Sequence, residues 1–222
     1  MTPRRYQGAK RAAAAEQTRQ RIISAAHALL VSGDVARFTV EAVARRADVA
    51  RQTVYDQFGG RVGLLEAVFD VLASRNDLPQ VRFAITDPEP WQGLDRFVAV
   101  FARFWNAERS ALRRIRGYAA VDAELGQVVR ARDERRRQAA AAMLARLIER
   151  LGYTDERQRA EATDAVFCLT SFETLDCLAS GGRSFDDVLH LIIRLCRTAV
   201  QPPAAEAPPA LPAAGEPAQE AG

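Results

Sequence analysis

The stretch that decides the fold is residues 38–65, FTVEAVARRADVARQTVYDQFGGRVGLL. It contains two short helical patterns separated by a tight turn at residues 47–49. The first pattern predicts a helix from about Val40 to Arg46, with the hydroxyl of Thr39 as its N-cap. Two short helices around such a turn are typical of a helix-turn-helix.

The second helix of this motif has an unusual polar face. Val54 and Phe58 are four residues apart and are expected to anchor the helix to the core. This leaves four residues facing outward: Arg51, Gln52, Tyr55 and Asp56. Arg and Gln side chains match the donor and acceptor pattern of base edges, and the hydroxyls of Thr53 and Tyr55 can reach phosphate oxygens. Arg61, at the start of the next helix, can add a charge-assisted phosphate contact.

The alternative is an ordinary helical hairpin whose outer face is polar because it contacts water. The charge distribution favours DNA instead. Residues 1–65 contain 11 Lys and Arg against 5 Asp and Glu, whereas residues 66–222 contain 20 against 23. The basic excess therefore lies in the same third of the chain as the motif.

Residues 1–17 carry an early basic run and are predicted to form a flexible arm ahead of a helix from about Thr18 to Ser32. The basic residues are Arg4, Arg5, Lys10 and Arg11. Such an arm can enter the minor groove or contact phosphates. A disordered, solubilising start to the chain explains the same composition equally well.

The motif resembles the DNA-binding region of the tetracycline-repressor (TetR) family of bacterial transcription regulators. The family pattern reads T-x-x-x-V-A-x-x-A-x-V, T-V-Y-x-x-F and F-x-x-[KR]-x-x-L-L. The matching residues are Thr39, Val43, Ala44, Ala47, Val49, Thr53, Val54, Tyr55, Phe58, Arg61, Leu64 and Leu65. The resemblance covers about residues 18–72, which are predicted to form the DNA-binding domain with its connecting fourth helix.

Three positions depart from the family pattern. Asp48 stands where a turn glycine is common, and Asp tolerates the left-handed conformation better than most residues. Ala50 stands where a Ser or Thr N-cap is common, so the second helix of the motif is predicted to have a weaker cap. Asp56 and Gln57 replace His and aromatic residues, and the carboxylate of Asp56 would repel phosphate.

The resemblance implies a homodimer that binds an inverted-repeat operator in double-stranded DNA. It also implies that a small-molecule effector in a second domain releases the DNA by moving the fourth helix. The alternative is a DNA-binding regulator without a ligand, controlled by a protein partner or by its abundance. An enclosed apolar cavity in the second domain would favour the first interpretation.

Residues 73–200 are predicted to form a helical effector-binding and dimerisation domain, which makes the chain all-α. The Ala-, Leu-, Arg- and Glu-rich runs favour helices, and no alternating strand pattern recurs. The predicted helices are Pro88–Trp105, Arg109–Ala119, Asp122–Leu151, Asp155–Ala179 and Phe185–Val200, after a looser junction at Asn76–Pro90. The arginine-rich run 130–137 is interpreted as a solvated face with intrahelical ion pairs. The Pro- and Ala-rich tail 201–222 is predicted to be disordered.

The last helix is apolar over more than half of its circumference, so it needs a partner beyond a single inner face. The same surface of a second subunit would supply one, whereas packing inside the monomer is the alternative. The predicted dimer interface comprises Leu169, Phe172, Leu189, Ile192, Ile193 and Cys196.

Aromatic residues in the second domain indicate where an effector pocket would lie. The candidates are Phe97, Phe101, Trp105, Tyr118, Phe167 and Phe172. Trp105 and Tyr118 offer a polar handle in an apolar cavity. An aromatic stripe at helical spacing is also typical of plain core. Arg113, Arg114 and Arg116 could bind an anionic ligand, although solvation explains them equally well.

The remaining residue types argue against other functions. His27 and His190 lie in different predicted domains, and the sequence has no Gly-rich phosphate loop, nucleophile elbow or metal-ligand spacing. No catalytic residue, cofactor or metal is therefore expected. The three cysteines have no CxxC pair and are expected to be buried packing thiols. No apolar run approaches a membrane span or signal peptide, so a cytoplasmic protein is expected.

Overall fold

The computed structural model describes residues 3–32 and 38–202, with side chains from Lys10 onward. These residues form helices, and they contain no β-strand. The helices are α1 (Pro3–Ser32), α2 (Val40–Ala47), α3 (Arg51–Phe58), α4 (Arg61–Arg75), α5 (Val81–Ile85), α6 (Pro90–Ala107), α7 (Arg109–Val121), α8 (Ala123–Arg150), α9 (Glu156–Leu169), α10 (Phe172–Ser180) and α11 (Phe185–Ala199). The prediction of an all-α chain with an N-terminal helix-turn-helix is confirmed.

Helix α1 is longer than the sequence pattern indicates. It begins at Pro3 rather than near Thr18, so residues 3–17, for which the composition predicts a flexible arm, continue the helix. Proline fits the first turn of a helix, and the alanine-rich run that follows has high helix propensity. Gly33, which follows the predicted first helix, and the part of the tail beyond Pro202 lie outside the described residues.

The N-terminal unit is built around the apolar faces of four helices. The buried residues include Ile22, Ile23, Ala26 and Leu30 from α1, Val43 and Ala47 from α2, Val54 from α3, and Leu64, Leu65 and Val68 from α4. Helix α1 packs against α2 and α4, and α3 packs against α2 and α4. The three-helix unit with a fourth, connecting helix is therefore present as the spacing predicts.

The second domain differs from the predicted pattern in two places. The junction after α4 is not loose, because it contains a 3-10 turn at Leu78–Gln80 and the short helix α5. The predicted helix over residues 155–179 is two helices, α9 and α10, that meet at Thr170 and Ser171. Ser171 accepts a hydrogen bond from the Thr174 backbone N–H and starts α10 as an N-cap.

The long helix α8 is the central element of the second domain. It packs against α6, α7 and α9, and it also contacts α4 of the N-terminal unit. Helix α11 covers α6 and α9 from the far side. Because α8 contacts both parts of the chain, a shift of α4 would change the packing around α8. No helix among the described residues is long and apolar enough to cross a membrane.

Candidate nucleic-acid interface

The turn between α2 and α3 has the geometry that the sequence predicts. Thr39 Oγ1 accepts a hydrogen bond from the Ala42 backbone N–H at 3.1 Å and starts α2. Asp48 ends α2 in the left-handed conformation, with φ 53°. Its backbone N–H donates to the last carbonyls of the helix, so aspartate replaces the usual glycine without loss of the turn.

Helix α3 is anchored on one side and open on the other. Val54 is fully buried, whereas Arg51, Gln52, Tyr55 and Asp56 are exposed. Ala50 makes no side-chain capping bond, as expected for alanine. Gly59 ends the helix with φ 71°, a conformation that glycine adopts without a Cβ penalty. The polar face predicted from the spacing is thus presented to solvent.

Arg51 is held in place by two neighbours on this face. Its Nε lies 2.8 Å from Glu41 Oε1 on α2, and its Nη2 donates to the Tyr55 hydroxyl at 3.1 Å. The hydrogen bond to Tyr55, together with the charge of Glu41, raises the pKa of Arg51. Glu41 was not predicted as a site residue, because only the packing of α2 against α3 brings it to Arg51.

Gln52 is held in a similar way. Its Nε2 donates to Asp56 Oδ1 at 2.7 Å, one helical turn further on. Thr53 is half-buried at the edge of the face. Two carboxylates, those of Glu41 and Asp56, therefore occupy donors of the two predicted base-reading side chains.

Arg61 lies in a different environment from the one predicted. Its Nη2 is 2.5 Å from Asp122 Oδ2 and 3.6 Å from Glu124 Oε2, at the start of α8. The Leu125 backbone N–H and the Arg61 guanidinium lower the pKa of the Asp122 carboxyl. The structure thus uses Arg61 to join the N-terminal unit to the second domain, and a phosphate contact would have to compete with this pair.

Other polar contacts cross the same boundary. Glu108, at the start of α7, receives a hydrogen bond from Asn76 at 3.0 Å and lies 3.0 Å from His27 Nε2. Arg114 donates to the carbonyl of Leu30 at 2.9 Å and to that of Val31. These carbonyls belong to the last turn of α1, where cations are favoured. The two parts of the chain are therefore joined by charged groups as well as by apolar packing.

A cavity of about 190 Å³ lies where α4, α6, α7 and α8 meet. Its apolar lining consists of Phe69, Ala73, Leu78, Val81, Phe101, Phe104, Trp105, Leu112, Val129 and Ala139. Its polar lining consists of Arg116, Arg132, Asp133, Arg135 and Arg136. Of the predicted pocket residues, Phe101 and Trp105 line this cavity.

The other predicted pocket residues lie elsewhere. Phe97 is fully buried in the core, and Phe172 is a core residue packed edge-on against Trp105. Tyr118 and Phe167 are half-buried and do not line the cavity. The indole N–H of Trp105 donates to the Thr170 carbonyl at 2.9 Å. This donor, which was predicted to bind a ligand, therefore already has an acceptor within the protein. The sequence shows that these residues are aromatic and share helical spacing, but it does not show which side of a helix faces a cavity.

The arginine-rich run at 130–137 is the predicted solvated face only in part, since Arg130 and Arg135 are exposed but other arginines of the run are not. Arg136 is buried, and its Nη1 donates to the Phe167 carbonyl at 2.5 Å. Arg132 pairs with Asp70 of α4 at 2.7 Å, and Arg137 pairs with Asp164 of α9. These pairs join different helices rather than successive turns of α8. Sequence spacing could not identify them, because each partner lies far away along the chain.

The predicted dimer interface is corrected at three positions. Phe172, Ile192 and Cys196 are buried inside a single chain, with exposed fractions of 3%, 2% and 0%, and they leave no surface for a second copy. Leu169, Leu189 and Ile193 are half-buried, and Leu195, on the opposite edge of the buried stripe of α11, is exposed. The inner stripe of α11 thus packs in the chain's own core, and the apolar residues at its two edges are not fully covered by the single chain.

The cysteines also divide between core and surface. Cys196 is buried, and burial raises the pKa of its thiol to about 12. Cys168 and Cys177 are exposed, so the prediction of buried thiols is wrong for these two residues. All three are free thiols, and the described residues contain no group of three or more His, Cys, Asp or Glu side chains that could hold a metal ion.

An all-helical fold with an open helix-turn-helix and a separate helical domain is typical of helix-turn-helix regulators. Residues 22–68 match the family of bacterial regulatory proteins named tetR. This match covers the helix-turn-helix and the first half of α4, and it does not extend into the second domain.

Two sequence relatives each match 30% of the chain. The HTH-type transcriptional regulator SrpR of Pseudomonas putida is 48% identical over 66 residues, which is 30% of this chain and 30% of SrpR. The uncharacterized HTH-type transcriptional regulator TtgW, also of Pseudomonas putida, is 47% identical over 66 residues, which is 30% of this chain and 47% of TtgW. The chain thus spans less than half of the length of either relative.

Solved structures resemble most of the chain at low identity. A TetR-family transcriptional regulator from Syntrophomonas wolfei has a TM-score of 0.67 at 10% identity, covering 83% of this chain and 95% of that one. A transcriptional regulator from Pseudomonas aeruginosa PAO1 has a TM-score of 0.65 at 18% identity, covering 82% and 90%. At such identities the likeness extends to the fold alone.

Proposed function

We propose that the protein is a transcriptional repressor that binds an inverted-repeat operator as a homodimer and is released by a small-molecule effector. The observation that carries this proposal is the open face of α3. Arg51, Gln52 and Tyr55 lie exposed on a helix that Val54 anchors at its back. A recognition helix of this kind enters the major groove, with side chains at its N-terminal end against base edges.

The roles on this face follow from the chemistry of the side chains. Arg51 and Gln52 have the donors to contact base edges, with Arg suited to guanine and Gln to adenine. Thr39, Thr53 and Tyr55 offer hydroxyls for the phosphate backbone. Arg61 adds a phosphate contact when it leaves Asp122.

A homodimer is supported by the outer surface of α11. Leu195 is 38% exposed, and Leu191, one helical turn before it on the same side of α11, is half-buried. An apolar strip on a terminal helix is buried when a second copy packs against it around a two-fold axis. Two recognition helices would then meet half-sites about 34–36 Å apart.

The dimer can be tested with Leu195→Glu, which places a charge in this strip. Sedimentation analysis of the full chain should show a lower dimer fraction for this variant than for the unmodified protein. Val121→Glu is the control, because Val121 is already 86% exposed at the end of α7. An unchanged dimer fraction in Leu195→Glu would remove α11 from the interface.

Control by an effector is supported by the cavity beside α4. It is lined by Phe69 and Ala73 of that helix, so a ligand there would contact the element that connects the two parts of the chain. The rival function is a DNA-binding regulator without a ligand, which a fully packed second domain would favour. The cavity favours the effector instead.

DNA binding is tested by selecting duplexes from a random library with the purified full chain. We expect an enriched inverted repeat, and we expect affinity to fall steeply as salt rises. Arg51→Ala should weaken preference at particular base pairs by about tenfold or more. Recovery of no enriched sequence by a folded protein would overturn the proposed function.

A further inference from the structure

The polar lining of the cavity has an excess of positive charge. It comprises Arg116, Arg132, Arg135 and Arg136 against Asp133 as the one carboxylate in the lining. Arg116 is already paired, at 2.9 Å from Asp133 and 2.8 Å from Glu173. Arg135 is exposed to solvent, and Arg132 pairs with Asp70 through Nη2, so Arg136 and the Nε side of Arg132 are the groups left for a ligand.

Arg136 carries a buried positive charge that its counter-ion, Asp133, balances only weakly. Its side chain is only 4% exposed, and the carboxylate of Asp133, its ion-pair partner among the described residues, lies 3.5 Å away. Its Nη1 donates to neutral acceptors, the Phe167 carbonyl and the Thr170 hydroxyl. Burial lowers the pKa of this guanidinium. A buried charge without a close counter-ion is costly, and an anion beside it would relieve that cost.

Two N–H donors at this site have no hydrogen-bond acceptor within the described part of the chain. They are Nε of Arg132 and Nε of Arg136, both buried atoms of cavity-lining residues. Other nitrogens of these guanidinium groups have partners within the protein. Arg132 Nη2, for example, donates to Asp70 Oδ1 and to the Glu66 carbonyl. A ligand that carries acceptor oxygens would satisfy these donors, whereas a pure hydrocarbon would not.

The volume and the apolar lining restrict the rest of the ligand. Ligand pockets for drug-sized molecules are roughly 300–1,000 Å³, and an apolar cavity of about 150 Å³ accommodates benzene. A cavity of about 190 Å³ between Phe101, Phe104 and Trp105 suits one aromatic ring or a short aliphatic chain. A nucleotide or a large multi-ring compound does not fit this volume.

We propose that this cavity binds a small organic anion, such as an aromatic carboxylate, with its apolar body among the aromatic residues and its charge at Arg132 and Arg136. The inference rests on the proposed function in one respect, since it names the chemical class of the effector. Ligand binding itself can be measured without DNA.

Arg132 also connects this site to α4. Its Nη2 is 2.7 Å from Asp70 and donates to the Glu66 carbonyl at 3.1 Å. A ligand carboxylate at Arg132 Nε shares the positive charge of this guanidinium with Asp70 and weakens the Asp70–Arg132 pair. A weaker pair holds α4 less tightly against α8, so a bound anion is expected to weaken DNA binding.

The test is calorimetric titration of the full chain, without DNA and at constant ionic strength, using two matched pairs of probes. The first pair is benzoate and its neutral isostere benzamide, and the second is hexanoate and hexanamide. We expect at least one carboxylate to bind about tenfold or more tightly than its amide, as charge-assisted bonds are stronger than neutral ones. Equal affinities within both pairs, or no binding of either carboxylate, would overturn the proposal.

Variants identify the groups that hold the charge. Arg132→Gln should weaken carboxylate binding by about tenfold and leave amide binding unchanged. Arg130→Gln is the control, because Arg130 is exposed on the same helix and does not line the cavity. Arg136→Gln also removes the donors to Phe167 and Thr170, so Arg132→Gln is the decisive variant. Carboxylate binding by Arg132→Gln at the unmodified affinity would contradict the assignment.

A second readout separates this inference from the proposed function. DNA affinity is measured without a probe and again with saturating benzoate or hexanoate, whichever binds. If the protein binds DNA but does not distinguish carboxylate from amide, the inference alone is wrong. If it binds the carboxylate but no DNA, the proposed function is wrong and the anion site stands.

Discussion

The open face of α3 and the cavity beside α8 both depend on arginine, but in opposite environments. The Arg51 side chain is 58% exposed and is held by Glu41 at 2.8 Å, whereas the Arg136 side chain is 4% exposed and its partner Asp133 lies 3.5 Å away. Water screens the first charge, while the second lies over the Phe167 ring and donates to the Phe167 carbonyl. On our proposals, the same residue type therefore binds a polyanion at the surface and a small anion inside.

The two regions also differ in how their residues are brought together. The face of α3 uses residues one helical turn apart, such as Arg51 with Tyr55 and Gln52 with Asp56. The cavity uses residues from five helices, α4 to α8, and from the 3-10 turn between α4 and α5. The contacts within α3 form whenever that helix forms, whereas the cavity forms only when the whole second domain packs correctly.

The largest expected effect concerns the core behind the cavity. Phe97→Ala should lower the free energy of unfolding by about 3–5 kcal/mol, since Phe97 is fully buried and leaves a void. Chemical denaturation measures this effect. Phe83→Ala is the matched control, because Phe83 is 44% exposed and should cost about 1 kcal/mol or less. A small effect at Phe97 would mean that it faces an open pocket after all.

A second expected effect concerns the joint between α3 and α4. A Cβ at Gly63 would fall on the carbonyl oxygen of Phe58, so Gly63→Ala should destabilise the N-terminal unit by about 1–3 kcal/mol. Thermal unfolding and DNA binding report the loss. Gly117→Ala, in the middle of α7 with open space around the new methyl, should instead stabilise by about 0.5–1 kcal/mol. Equal melting temperatures for the two variants would show that the joint tolerates a side chain.

A third expected effect tests whether Glu41 restrains the recognition face. Glu41→Gln removes the ion pair that holds Arg51 and also removes a negative charge near DNA. DNA affinity should rise by roughly twofold to fivefold at low salt and by less at high salt. Glu149→Gln is the control, since it changes the net charge equally at an exposed position on α8. The same gain in both variants would mean that only net charge matters.

The smallest expected effect concerns the link between the two regions. The pKa of Asp122 is lowered in the folded protein, so its contribution to stability is present above its unfolded pKa and is lost as pH falls through the folded value. The unmodified protein should therefore exceed Asp122→Asn in melting temperature near pH 7, and the difference should vanish well below about pH 4, a value near the ordinary pKa of an aspartate.

Asparagine is an informative replacement at this position, because it keeps the N-cap acceptor for Leu125 and removes only the charge. Arg61→Ala should show the same melting temperature at neutral pH as Asp122→Asn if the pair acts as a unit. A difference that persists unchanged in acid would contradict the ionic link.

The sequence predicted most of the N-terminal unit but little of the cavity. Thr39 as an N-cap, Asp48 in a left-handed turn and Val54 as the anchor of α3 all follow from local spacing and from the conformations that these residues favour. The pairing of Arg61 with Asp122 was not predicted, because Asp122 lies 61 residues away along the chain. The outward position of Arg61 on α4 is compatible with either partner, and only packing selects between them.

The arginine-rich run illustrates the same limit within the second domain. Its composition resembles that of a solvated helix face, yet Arg136 is buried and Arg132 contacts α4. The sequence shows the spacing of charges along one helix but not the helices that surround it. Residue type alone identified the aromatic candidates for the pocket, but Phe97 and Phe172 face the core instead of the cavity.

By itself, the sequence determined the all-helical class, the helix-turn-helix and the exposed face of α3, because these depend on interactions within a few residues along the chain. The tertiary structure alone decided which aromatic side chains surround a void and which arginines face it. The reason is physical: a cavity exists only where several helices fail to fill the space between them, and this depends on their relative positions. The same holds for the charges at its wall, whose counter-ions come from distant parts of the chain.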